Sequence, residues 1–328
     1  MSHTPRLKHY LINEKYEDPG IVIELEGLGE YLLFDVGNIY KLDRNLIRKI
    51  TKVFITHTHL DHFIGFDLLL RNKLGKPHTV EIFGIEPLAD NLHCKLQGYI
   101  WNLIEFEPQL VFIVKELKGD KFFYYRFDIK KAFKKELIKI EPVKDNVIFE
   151  NEYFRVRYAV LDHKIDIMGY SFEYKERLKL IPERLKELGL KGKEIGEFKK
   201  FLEDENNKGK SIEINGKKYT YEELRERYAY TIPGYKISYI TDVIYSEENK
   251  KKIVDLVKNS DVLYCESVFL ERDEEQSKKV YHLTTRETAE IAKLANVKKL
   301  IVFHFSRRYG KKTNLILDEI KKYFPNVE

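Results

Sequence analysis

Residues 52–67, KVFITHTHLDHFIGFD, constrain the fold more than any other stretch of the chain. An apolar run ends at Thr56, a helical pattern is expected from about Phe63, and between them stand His57, His59, Asp61 and His62. Alternation along an extended end turns His57 and His59 to one side. Asp61 and His62 round the corner toward a second point. A solvated loop does not account for four metal-capable side chains packed so closely at a strand's C-terminal end. Imidazole and carboxylate donors suit Zn²⁺, with Mn²⁺ or Fe²⁺ as alternatives. Two points need further ligands, and three apolar runs are each followed by one: His163 in AVLDHKIDIMGY, Asp242 in ISYITDVIY and His304 in LIVFHFSRRY. Open α/β sheets present functional groups at such strand ends. For residues 57 and 304 to converge, most of the chain, 1–328, must fold as one catalytic domain.

Apolar or alternating runs predict strands at 21–25, 31–37, 52–56, 80–84, 154–161, 236–241, 262–267 and 300–305. Helical spacing predicts helices at 63–73, 87–99, 246–259, 284–295 and 313–323. This alternation argues for α/β layering. Residues 175–228 stand apart, with 15 Lys/Arg against 12 Asp/Glu in 54 positions, a net +3. There Leu178, Ile181, Leu185 and Leu188 recur at helical spacing and Gly189 marks a stop. ENNKGK at 205–210 reads as a polar turn, and SIEINGKKYT after it as a hairpin or short strand. The segment is expected to be a small inserted arm.

Composition narrows the class. A 43% hydrophobic chain of 328 residues with 22 Tyr and 20 Phe has ample material for a core. Two Cys exclude a disulfide scaffold or a Cys-rich zinc module. No apolar run approaches the roughly 18 residues of a membrane span, and MSHTPRLKHYLINEKYEDPG has no apolar leader segment. A soluble, cytoplasmic protein with no membrane partner is expected. Charged residues at 34%, with three Gln and two Met, match chains from hot-growing sources. The net charge of +5 is too small to identify a nucleic-acid partner by itself.

The pattern resembles the metallo-β-lactamase fold, whose HxHxDH motif, later His, later Asp and final His bind a dinuclear metal centre. Within that superfamily the chain is most similar to the ribonuclease Z group, transfer-RNA 3′-end endonucleases. The likeness covers most of the chain, from FDVGN to HFSRRY. Its narrower part lies in FDVG at 34–37, HKIDIMGYSFE at 163–173, ESVFLERDEE…HLT at 266–284 and HFSRRYG at 304–310. The fold so implied is a four-layer αβ/βα sandwich. By this resemblance His57, His59 and His163 hold one metal, Asp61, His62 and His304 the second, and Asp242 bridges, with Asp35 bracing the metal loop. The superfamily's di-iron flavoproteins typically carry Glu at the position of His59, so a hydrolytic pair of zinc ions per chain is implied.

Two metals roughly 3.5–4 Å apart activate a water and clamp a phosphodiester for in-line displacement. Asp61 is expected to orient that water. The leaving O3′ needs a general acid, a His held by a carboxylate, and His282 with Glu266 match the positions of that pair in the family. Arg307 and Arg308 are candidates for phosphate contact. The implied substrate is precursor transfer RNA or another RNA, and the implied assembly is a homodimer. The alternative is a hydrolase of the same fold acting on a small cyclic phosphodiester, ester or lactone. The chain departs from the family pattern at Leu60, commonly Gly, at Cys265-Glu266-Ser267-Val268 in place of His-Glu-Ala-Thr, and at GNIYKLD in place of a Gly-rich stretch.

The family's arm grips the transfer-RNA elbow, and 175–228 occupies its place without the Gly-Pro-rich tip; Lys191, Lys193, Lys199 and Lys200 are its candidate phosphate contacts. The basic and aromatic stretch 118–135 reads as sheet core first and as a single-strand surface second. His93, Cys94, Tyr99 and Trp101 read as packing, and His3 and His9 as surface groups.

Overall fold

The computed structural model describes residues 7–103, 105, 108–310 and 312–328; His3 lies outside them. The chain forms two compact units, a main one of Arg6–Glu173 with Lys236–Glu328 and a smaller one of Tyr174–Tyr235.

The main unit holds an eight-stranded sheet whose order follows the chain. Its strands are β1 (Leu7–Leu11), β2 (Ile21–Leu25), β3 (Glu30–Phe34), β4 (Lys52–Phe54), β5 (His78–Ile85), β6 (Leu110–Lys118), β7 (Lys121–Asp128) and β8 (Lys135–Pro142). β3 to β6 run parallel, and antiparallel pairs flank them. Helices α1 (Arg44–Lys49), α2 (Leu60–Phe63), α3 (Phe66–Lys73) and α4 (Leu88–Gln97) fill the parallel crossovers. Leu69, Leu70, Leu92 and Leu96 bury the apolar faces of α3 and α4 against Val53, Val80, Ile82 and Phe112 of the sheet.

A second sheet of six strands takes β9 (Val147–Glu150), β10 (Phe154–Asp162) and β11 (Asp166–Tyr174) from before the smaller unit. The smaller unit contributes β12 (Arg177–Leu180), α5 (Pro182–Leu185), α6 (Lys193–Glu203), β13 (Ser211–Ile214), β14 (Lys217–Thr220), α7 (Tyr221–Tyr228) and β15 (Ala229–Ile232). The sheet is then completed by β16 (Tyr235–Ile240), β17 (Val262–Glu266) and β18 (Lys299–Phe303), in the order β18-β17-β16-β11-β10-β9. Its outer face is covered by α8 (Glu247–Val257), α10 (Thr285–Leu294) and α11 (Thr313–Lys321), with α9 (Glu274–Val280) preceding α10. Ser246 caps α8, and Thr284 with Glu287 forms a capping box on α10.

Aromatic rings fill the space between the sheets. Phe34, Phe54 and Phe83 stack in succession at 4.7 Å, and Tyr170 from β11 meets Phe34 and Phe54 edge-on. The Tyr170 hydroxyl donates to the carbonyl of Ile55 at 2.7 Å, so a buried polar tip is satisfied and the two sheets are tied beside the histidine segment. Helix–sheet–sheet–helix layering is the four-layer arrangement expected.

Within the smaller unit, Pro182 cuts the helical spacing short. Leu178 belongs to strand β12, paired with β15, and only the stretch from Pro182 is helical, ending at Gly189 with φ of +66°. SIEINGKKYT forms the hairpin β13–β14, where Asn215 and Gly216 take φ of +49° and +76°, the two positive values a tight hairpin turn requires. Leu185, Leu188, Phe198, Leu202, Leu224 and Tyr228 give the unit its own apolar cluster. Among the described residues, no helix is long and apolar enough to cross a membrane.

Candidate metal centre

Most site residues stand at or just beyond the C-terminal end of a strand, whereas Asp61 and His62 lie in the helix that follows β4 and His282 follows α9. After β4 the chain runs extended to His59, whose φ of −62° and ψ of 156° make it the cap of α2. The helix therefore begins at Leu60, not near Phe63, and Asp61 and His62 lie in its first turn, where a carboxylate meets the helix's positive end. His163 follows β10, Asp242 lies just beyond β16, and His304 follows β18. Asp35, Asp242 and His304 adopt φ of +55°, +51° and +63°. That left-handed region is uncommon outside glycine, and Asp and His enter it more readily than most residues.

The ligand atoms of His57, His59, His163 and Asp242 lie within 4.8 Å of one another, and so do those of Asp61, His62 and His304. Asp242 stands between the groups. Its Oδ2 is 3.6 Å from Nε2 of both His57 and His163 and 3.3 Å from Nε2 of His62, and its Oδ1 is 3.0 Å from His304 Nδ1. All seven residues marked as ligands by the sequence thus converge.

Surrounding groups fix the rings. His62 Nδ1 donates to Asp35 Oδ2 at 2.8 Å. Asp35 also accepts from the Thr56 amide at 2.7 Å, the Thr56 hydroxyl and the Tyr239 hydroxyl. With its hydroxyl proton given to Asp35, Thr56 Oγ1 accepts from His57 Nδ1 at 3.0 Å. His163 Nδ1 donates to the carbonyl of Tyr281 at 2.8 Å. With Nδ1 occupied in all three, Nε2 is the free donor atom. Thr56 and Tyr239 are functional groups that sequence reasoning missed; a polar residue closing an apolar run was the available signal for Thr56.

Buried His57 Nε2, His62 Nε2 and His304 Nδ1 have no hydrogen-bond partner. Unpaired buried nitrogens cost free energy, and a cation is the partner that satisfies several at once. Burial, reinforced by His62, brings His57 down to about 2, and burial also lowers His59, leaving neutral rings with free lone pairs. Against burial, Asp242 and Asp35 raise His62 to about 10, and Asp242 raises His304. Burial would raise Asp61, but His304 and His62 hold it below the usual carboxylate range. Carboxylates that draw protons onto His62 and His304 suit metal cations in the place of those protons. The donor set fits divalent metal.

Beside this centre, His282 Nδ1 donates to Glu266 Oε2 at 2.8 Å, and Glu266 Oε1 accepts from the amides of Val243 and Leu283 at 3.1 and 3.0 Å. Ligand atoms of Glu266 and His282 lie within 4.8 Å of those of Asp242 and His304. The His282 ring centroid is 4.9 Å from that of His163 and 5.4 Å from that of His304. Burial opposes it, yet Glu266 raises the His282 pKa above its ordinary 6.5. Leu60, the departure from the family pattern, is 73% exposed, and Cys265 is fully buried, so neither displaces a site residue.

The remaining candidates divide. Arg308 is bound to Asp273 at 3.0 Å and lies over Phe269, whereas Arg307 lines a cleft with Tyr16 and Asn38. In 118–135, Phe122 and Phe127 are buried in β7, and Lys115, Lys135 and Lys139 cover the faces of Phe122, Tyr125 and Tyr124. Those rings are already stacked on by cations of the same sheet. His9 is not a free surface group, since Nδ1 lies 2.7 Å from the Tyr264 hydroxyl. The Trp101 indole donates to the carbonyl of Leu96 and packs on Phe133, and His93 packs near Phe127.

Known structures share the architecture. The metallo-β-lactamase fold protein YhfI from Bacillus subtilis aligns with a TM-score of 0.57 at 14% identity, over 98% of this chain and 94% of that one. The short form of human tRNase Z aligns with a TM-score of 0.50 at 18% identity, over 92% and 93%. No family model matches the chain. Among curated sequences, ribonuclease Z of Synechocystis is 29% identical over 321 residues, 94% of this chain and 84% of its own length. The ribonuclease Z of Chlamydia muridarum is 30% identical over 310 residues, 91% of this chain and 85% of its own. A shared architecture, a convergent histidine–carboxylate centre and sequence identity sustained over nine-tenths of the length together make the chain a member of the ribonuclease Z family.

Proposed function

We propose that the protein is a metal-dependent endoribonuclease that removes the 3′ trailer of precursor transfer RNA, with two zinc ions held at the paired ligand groups. The observation that carries this reading is the Glu266–His282 pair set beside Asp242, the carboxylate that stands between the two groups. His57, His59 and His163 would hold one metal and Asp61, His62 and His304 the other, with Asp242 standing between the two groups; bound there, metal would supply a nucleophile at neutral pH and offset phosphodiester charge.

The chain's own residues do the rest. Asp35 fixes His62 directly and His57 through Thr56. Asp61, an ionised carboxylate, orients the attacking water and takes its proton. His282 carries a proton at Nε2 while Nδ1 is held by Glu266, and gives it to the departing O3′. In the smaller unit, Lys193 and Lys199 are paired with Glu197 and Glu203. Lys217 and Lys218 instead gather with Arg184 and Tyr219 around a cleft of about 510 Å³, beside Glu223, Glu226 and an Arg227 held by Glu187, and these lysines are the candidate contacts to an RNA backbone.

Incubation with a 3′-extended precursor transfer RNA tests the reading. Cleavage after the discriminator base, abolished by chelator and restored by zinc, is expected. Hydrolysis of a small diester with the precursor left intact overturns it in favour of a small-molecule hydrolase.

A further inference from the structure

The loop between β1 and β2 has no part in the metal centre, yet it is fastened to it from two sides. The carbonyl of Lys15 accepts from the amide of Phe305, next to His304, at 2.7 Å, and Lys15 Nζ donates to the carbonyl of Val302 at 3.0 Å. At its other end, a Cβ built on Gly37 would lie 2.4 Å from the carbonyl oxygen of Asp61, 2.7 Å from that of Pro19 and 2.9 Å from Asp18 Cβ. Gly37 thus lets Asp18 and Pro19 approach the backbone of Asp61. Asn13 ties the loop together by donating to the carbonyls of Asp18 and Asn38.

Between this loop and the turn after His304 lies a cleft of about 390 Å³ lined by Tyr16, Glu17, Asp18, Asn38, Arg307 and Gly310. Its size falls in the small-ligand range of roughly 300–1,000 Å³. Its lining offers the groups a nucleotide uses, beside two carboxylates. Tyr16 offers a ring for a base, Asn38 and Asp18 offer polar atoms for a base edge, and Arg307 offers a cation for phosphate. Among the described residues Arg307 has no ion-pair partner, whereas the adjacent Arg308 is held by Asp273. Glu17 already faces Lys41 at 2.5 Å, which offsets its charge at the mouth.

The position selects the nucleotide. His282 adjoins His163 and His304, while His304 Nε2 is 3.3 Å from Asp61, whose backbone Asp18 approaches across Gly37. If His282 protonates the departing O3′, the mature transfer-RNA end lies on its flank. The flank of Asp61 and Asp18 is then left to the strand beyond the cut. We propose that this cleft is the subsite for the 3′-trailer nucleotides beyond the first, with Tyr16 stacked on a base and Arg307 on a phosphate. The inference rests on the proposed endoribonuclease activity and adds a determinant of trailer recognition to it.

The test compares two precursors, one with a single-nucleotide trailer and one with a longer trailer, on wild type, Tyr16→Ala and Arg307→Ala. Loss of a stacked base or a charged hydrogen bond is expected to raise KM for the longer trailer about tenfold, with little change for the single-nucleotide trailer. Tyr16→Phe should keep the wild-type KM. In addition, short oligoribonucleotides of trailer sequence should inhibit wild type competitively, more strongly as they lengthen from one nucleotide to several. This arm needs no variant to fold. An unchanged KM ratio between the two precursors, or inhibition independent of length, overturns the subsite. A wild-type protein that cuts neither precursor overturns the endoribonuclease reading instead.

Discussion

Among the described residues, Glu266 is the carboxylate within 3 Å that orients His282, and Glu266 is in turn immobilised by the amides of Val243 and Leu283. The carboxylate sits at the end of β17 with no exposed surface, so its position is fixed by the sheet. His282 follows α9, whose last turn closes on Tyr281 with φ of +62°. A rigid strand thus aims a residue carried on a loop.

Replacing His282 by Ala is expected to lower kcat for precursor cleavage by about 10²–10⁴ while leaving metal content unchanged. Glu266→Gln should show a smaller loss, since the amide still holds the ring without its charge. Metal analysis beside single-turnover rates checks both, and full activity of His282→Ala removes the acid from the mechanism.

Asp35 supports two histidines through one carboxylate, so Asp35→Asn is expected to weaken metal affinity about 10–100-fold. Asn tolerates the left-handed backbone at this position, which separates the lost hydrogen bonds from backbone strain. A competitive chelator titration reads the affinity directly. An unchanged affinity would mean that Thr56 and Tyr239 suffice to hold the loop.

Far from the site, buried Lys73 donates from Nζ to the carbonyl of Arg48 at 2.7 Å and to that of Ile50, at the C-terminal end of α1. Lys73→Met leaves both acceptors unpaired and should cost about 1–3 kcal/mol in denaturant unfolding. Burial pulls the Lys73 pKa from 10.5 to about 7. Between those values the unfolded chain binds the proton and the folded chain does not, so stability rises with pH. The wild-type advantage over Lys73→Met is therefore expected to grow from pH 7 toward pH 10 and to be smallest below 7. An advantage that shrinks over that range contradicts it.

For the smaller unit, Lys217→Glu with Lys218→Glu should raise KM for precursor and flatten its salt dependence by about two in the log–log slope. Lys193→Glu, at a lysine already paired with Glu197, should change the slope less. Equal slopes for all three proteins would place the RNA elsewhere.

The convergence of the candidate ligands was legible because each follows an apolar run, and strand ends of the two sheets bring them together whatever the intervening length. The start of α2 was not. Apolar spacing points to Phe63, but the helix begins at Leu60, directly after extended His59, and places the Asp61 carboxylate in its first turn. Nor were β12 and α5 legible as separate elements. Leu178 to Leu188 keep a helical spacing that Pro182 interrupts, and pairing with β15 decides the rest. Asp35 was marked by resemblance, whereas its partners Thr56 and Tyr239 lie just beyond β4 and in β16, and nothing local links them. The cleft at Tyr16 depends on the same kind of distance, joining residues 16 and 307.

The positive φ angles at Asp35, Asp242 and His304 have a consequence for mutagenesis itself. An alanine there deletes a candidate ligand or brace and also sets a side chain with no stabilising polar group into a conformation costing roughly 1–2 kcal/mol. Alanine scans will therefore overstate the chemistry of these three positions relative to His57 or His163. Asparagine is the fairer replacement at each, because its backbone accepts the bend and only the side-chain donor or charge is altered.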